Sequence, residues 1–98
     1  MLVLILGHRR GISKVLEEME VPYLIWSTKK VISKTKAVKI IEHDYPQSKE
    51  QLKLQLGSHL SITHVIAGTE ESVLPATKIR AWLEARRNPL SLIYLYIV

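Results

Sequence analysis

The stretch Val65-Ile66-Ala67-Gly68-Thr69-Glu70-Glu71-Ser72-Val73-Leu74-Pro75 decides the fold. An apolar run stops at a glycine, two carboxylates follow, and a helix begins around a proline. Proline has no N–H, so it fits a helix only in the first turn, where donors lack an intrahelical partner. With Ser72 as cap, Pro75 takes the third helical position, and Val73, Ala76, Ile79, Trp82 and Leu83 form the inner side. Gly68-Thr69-Glu70-Glu71 is then the connection. The two acids stand at the carboxyl end of a buried strand over 62–67.

The rest of the chain repeats this alternation. Leu2 to Leu6 is a continuous apolar run ended by Gly7, the pattern of a strand buried on both faces of a parallel sheet. After Gly7-His8-Arg9-Arg10-Gly11, apolar residues recur at Ile12, Val15, Leu16 and Met19, which is one face of a helix. Pro22 closes that helix and Tyr23 to Trp26 reads as a second strand. The lysine-rich segment 27–36 is a connection, and Val38 to Ile41 a third strand. A second helix starts near Ser48, with Gln51 placed for a capping box and Leu52, Leu56 and Leu60 facing inward. Gly57 weakens its end. The order strand, helix, strand, strand, helix, strand, helix predicts an α/β fold, a Rossmann-like three-layer sandwich on a mostly parallel sheet of four to five strands. Ligands of such sheets bind outside the carboxyl ends of the strands, near the topological switch point. Both the 7–11 and the 69–71 loops belong to that edge.

Composition limits what this domain does. Ninety-eight residues suit one domain, 47% of them hydrophobic and 23% charged. Without cysteine there is neither a disulfide framework nor a thiolate metal site. The apolar start lacks a basic region and is too short for a secretory signal. The closing LSLIYLYIV falls short of the roughly 20 residues a membrane span needs, so no membrane association and a cytoplasmic location are expected. Of the formal charge of +5, all but one unit comes from residues 27–53, where seven lysines (29, 30, 34, 36, 39, 49 and 53) face three acids. Tyr45 is the one aromatic residue among them, which makes no stacking series, so a solvated face is favoured over nucleic-acid binding.

The loop from Gly7 to Gly11 joins a strand to a helix start, where backbone N–H groups and the helix dipole favour anions and arginines add bidentate donors. Its G-x-x-x-G spacing matches neither the dinucleotide fingerprint nor a P-loop, and strand two ends without an acid for a ribose. No nicotinamide or flavin site is expected. Glu70 and Glu71 suit either a ligand's hydroxyl or amino groups or the positive end of the following helix. Histidines 8, 43, 59 and 64 give no zinc-like spacing, and no nucleophile–base pair is evident. Trp26 and Tyr45 read as packing residues.

Together, VLILGHRRGISKVLEEMEVPYLIW and HVIAGTEESVLPATKIRAWL resemble the amino-terminal, pre-ATP-grasp domain of the ATP-grasp ligases, the superfamily of biotin carboxylase, carbamoyl phosphate synthetase and the amino-acid ligases. The resemblance covers residues 2–85 and is concentrated in 65–83. It implies a substrate site for a small anionic or amino-acid-like molecule, with Gly7, His8, Arg9, Arg10, Gly11 and Glu70 as binding residues and Glu71 as their neighbour. It also implies that ATP and magnesium are bound by two later domains absent from these residues. This chain departs from the family where arginines replace glycines in the first loop, and where Glu84-Ala85-Arg86-Arg87-Asn88-Pro89 leads into the apolar tail. The expectation is therefore a stand-alone or truncated domain with no cofactor of its own and no catalysis alone, acting with an ATP-grasp domain in trans. Residues 88–98 would form an atypical tail. Uncharged and β-prone, its 91–97 segment is expected to add a strand to the domain's own sheet, homodimerisation through it being the alternative. A polyanion-binding module using residues 27–53 and a structural remnant without ligand are the competing readings.

Overall fold

A computed structural model describes residues 1–59 and 61–85 of the chain. Four parallel strands, β1 (Val3–Leu6), β2 (Tyr23–Ser27), β3 (Lys39–Glu42) and β4 (His64–Ala67), form one sheet in the order β3-β2-β1-β4. The helices are α1 (Arg10–Glu18), α2 (Lys49–Leu56) and α3 (Val73–Leu83), with a single 3-10 turn at Glu70–Ser72 before α3. This is the α/β fold expected, and among the described residues the sheet is wholly parallel. The expected fifth strand at 91–97 and the inward-facing Leu60 lie outside the described residues.

Register explains why the two central strands read as unbroken apolar runs. Leu6 pairs with Trp26 and with Ala67, and Trp26 pairs with Ile41, so these four side chains share one face. That face packs on Leu52 and Leu56 of α2 and on Ala76 and Ile79 of α3. One residue back, Ile5, Ile25 and Ile66 share the opposite face, which packs on Ile12, Val15 and Leu16 of α1. Every side chain of β1 and β2 is buried because helices cover both faces.

Several local expectations shift for identifiable reasons. Helix α1 begins at Arg10, so the first loop is only Gly7-His8-Arg9, and Arg10 and Gly11 are helical. Strand β4 starts at His64 and not at 62, since Thr63 N–H already bonds to the Leu2 carbonyl at the sheet's rim. Strand β3 runs one residue later than expected, to Glu42, continuing the ladder opposite Ser27. Pro75 does occupy the third position of α3, but Val73 is 49% exposed and does not face inward. At about 3.6 residues per turn, two three-residue steps back from Ile79 carry Val73 about 120° round the helix, off the buried face. Ser48 caps α2 through Gln51 N–H, while the Gln51 side chain accepts from Gln47 N–H rather than from Ser48. Gly57 ends α2 with φ of 58°.

The β2–β3 connection, residues 28–38, contains no helix. It is pinned to the α1 face by one polar clasp. The buried Tyr23 hydroxyl donates to the Glu17 carboxylate, and both oxygens accept from Lys36 N–H, at 3.2 and 3.1 Å. Near β3, Val31 N–H donates to Glu42 at 2.6 Å. With no helix over this corner, Ile40 of the edge strand remains 40% exposed.

The clasp has a pH signature. The Tyr23 hydrogen bond, followed by the Lys36 N–H, holds the Glu17 carboxyl below its ordinary value of 4.5. Its stabilisation is present above 4.5 and is lost as pH falls through the lowered value. Burial, then Glu17, pushes the Tyr23 hydroxyl up to about 12 from 10. That contribution is complete below 10 and disappears as pH rises toward 12. Tyr23→Phe is expected to cost about 1–2 kcal/mol at neutral pH. In thermal unfolding, the gap to the native chain should narrow below 4.5 and above 10; a pH-independent gap would exclude the clasp as its source.

Candidate functional site

At the carboxyl edge, the two strands that flank the reversal of strand order end in glycines. Gly7 has φ of 77°, a conformation open to glycine at little cost, and its N–H donates to the Trp26 carbonyl at 2.8 Å. Gly68 N–H donates to the Leu6 carbonyl at 2.7 Å. A Cβ on Gly68 would lie 2.1 Å from the Gly7 carbonyl oxygen, and one on Gly7 would lie 2.6 Å from Thr69 Oγ1. The loops after β1 and β4 therefore meet backbone to backbone, which seals the switch point itself.

The opening lies beside this seal, toward β2. A cleft of about 380 Å³ is bounded by Gly7 and His8 after β1, the 27–33 segment after β2, Tyr45 after β3, and Thr69 and Glu71 after β4. Its size falls at the lower end of the usual range for small-molecule sites, roughly 300–1,000 Å³. Three of the sequence-predicted residues, Gly7, His8 and Glu71, converge here. Arg9, Arg10, Gly11 and Glu70 are exposed and do not line the cleft. For Arg10 and Gly11 the cause is the early start of α1, which carries them onto the helix.

His8 is the most distinctive group at this edge. Its Nε2 is enclosed by protein and has no hydrogen-bond partner among the described residues. Burial lowers its pKa below 6.5, so the imidazole is neutral at pH 7. A neutral ring with one unused nitrogen offers a ligand a hydrogen bond without a charge. Tyr45 lines the same cleft, and its half-buried hydroxyl has a raised pKa, from burial and then from the Glu71 carboxylate. Glu71 is carried by the 3-10 turn, whose anchor is the fully buried Ser72. The Ser72 hydroxyl donates to the Thr69 carbonyl at 2.7 Å and accepts from Thr69 N–H at 3.2 Å.

From sequence, the 27–33 segment is assigned to a solvated lysine face or, in the competing reading, to a polyanion-binding surface, and not to a small-molecule cleft. Its position directly after a buried parallel strand was the available signal, because loops at that edge are where α/β sheets bind ligands. A second groove, of about 340 Å³, runs beside α2 and is lined by His43, Pro46, Gln51 and Leu54 among others. Its indole, Trp26, is fully buried and its Nε1–H is committed to the His43 carbonyl, which confirms packing as a role of that residue.

Among the described residues, no three His, Cys, Asp or Glu side chains are grouped to hold a metal ion. Among the same residues, no helix is long and apolar enough to cross a membrane. Comparison with protein-family models, with curated proteins and with solved structures finds no match.

Proposed function

We propose that this chain is the substrate-side domain of an ATP-grasp-type ligase, holding a small anionic or amino-acid-like molecule in the cleft beside the switch point. One observation carries the reading: Gly7, His8 and Glu71, far apart in sequence, line the same cleft at the carboxyl edge of a parallel sheet. The first loop supplies close backbone approach and the neutral His8 ring. Glu71 supplies a carboxylate for an amine or hydroxyl. ATP and magnesium belong to ATP-grasp domains, either elsewhere in a longer polypeptide or in a separate partner.

The test is isolation of the protein from its native host at its native length, with whatever accompanies it, followed by assay of ATP turnover. An attached or bound ATP-grasp domain whose ATP hydrolysis depends on a small acid or amino acid is the expected result. A species that contains no ATP-grasp domain and turns over no ATP would overturn the proposal.

A further inference from the structure

The cleft contains chemistry that the residues above leave unused. Its β2 wall is a run of Ser27, Thr28, Lys29 and Lys30, continuing to Ser33. Ser27 Oγ accepts from Lys29 N–H at 3.1 Å, which folds the segment over the end of β2 and leaves the Ser27 hydroxyl proton available. Val31 N–H bonds to Glu42, fixing the other side of the same turn. Two lysines and three hydroxyls thus line the cleft together with a lone carboxylate, Glu71, and with Tyr45. Adjacent lysines act as point charges with rotatable donors, which suits the several oxygens of a phosphate better than the planar fork of a carboxylate.

The cleft's volume of about 380 Å³ admits only a small ligand.

Resting on the substrate-site reading above, we infer that residues 27–33 form a phosphate-binding limb of this cleft, and that its ligand is a short phosphate monoester with an amine at the Glu71 end. His8, whose Nε2 is unpartnered among the described residues, lines the same cleft and contributes an uncharged hydrogen bond. Lys29 and Lys30 are positioned to bind the phosphate and do not take part in chemistry.

The probes are phosphoethanolamine, inorganic phosphate and ethanolamine, titrated into the isotope-labelled chain by NMR at constant ionic strength. Phosphoethanolamine is expected to shift the backbone amides of residues 7–8, 27–33 and 69–71, and to bind about tenfold or more tightly than either inorganic phosphate or ethanolamine. Lys29→Ala/Lys30→Ala should weaken it by about tenfold or more, whereas Lys49→Ala/Lys53→Ala, which removes the same charge from α2, should change it less than about twofold. Equal weakening by both pairs would mean a general field effect and would overturn the limb, as would phosphoethanolamine binding no better than phosphate. The broader reading is judged separately. If Glu71→Gln abolishes the ATP turnover of the native assembly and the Lys29/Lys30 variant does not, the limb falls and the substrate-side assignment survives.

Discussion

Gly68→Ala is expected to destabilise this domain by about 3 kcal/mol, lowering Tm by roughly 12–20 °C. The position tolerates no side chain because the new Cβ would sit 2.1 Å from the Gly7 carbonyl oxygen and 3.3 Å from that of Leu6. Both obstacles are backbone at the end of the central strand, so relief requires β1 and β4 to separate where Gly68 N–H bonds to Leu6 at 2.7 Å. Gly7→Ala provides the contrast. There the left-handed backbone costs about 1–2 kcal/mol, but the steric obstacle is the Thr69 side chain. Trimming Thr69 to alanine should therefore recover part of the Gly7→Ala loss, while no side-chain truncation should rescue Gly68→Ala. Denaturant unfolding of the three variants and the Gly7/Thr69 pair decides this, and a Gly68→Ala loss below about 1 kcal/mol would show that the two loops are not sealed together.

The same contact explains what was legible in the sequence. Apolar runs ending at Gly7 and Gly68 and the first-turn constraint on Pro75 are local signals, and they located the strands that these runs form and the start of α3. Strand order was not local. That β4 inserts beside β1, so that Gly7 and Gly68 touch, is a tertiary fact with no trace in spacing. Its consequence is to move the opening toward β2, which brings in Lys29 and Lys30 and leaves Arg9 and Arg10 outside. Residue chemistry named arginines as the anion donors because a strand-to-helix turn is the familiar place for them. The start of α1 at Arg10 decided otherwise, and nothing in GHRRG distinguishes a five-residue loop from a three-residue one. Val73 fails for another reason: a three-residue spacing drifts by about 60° per step on an α-helix, so a residue two steps from Ile79 leaves the buried face.

Trp26→Ala should be the most damaging single change, at about 3–5 kcal/mol, the usual cost of removing a fully buried aromatic side chain. The indole is wholly enclosed in the layer it shares with Leu6, Ala67 and Ile41, under α2 and α3. It is also tied to the segment beyond β3, through its Nε1–H to the His43 carbonyl at 3.0 Å. Two variants separate those roles. Trp26→Phe restores most of the packing but no donor, and should recover about half of the loss. Its remaining defect is local: the 43–47 segment loses the anchor that holds Tyr45 against the cleft, so the amide resonances of these residues should shift in Trp26→Phe while those of α1 stay in place. In urea unfolding both variants should lower the midpoint with little change in slope. A Trp26→Ala chain within about 1 kcal/mol of the native one would mean that the indole is not the centre of this layer. Shifts spread equally over α1 in Trp26→Phe would mean that the His43 bond does not position Tyr45. Since that hydrogen bond links the largest core side chain to the segment that carries Tyr45, the stability of this domain and the position of one cleft residue depend on the same side chain.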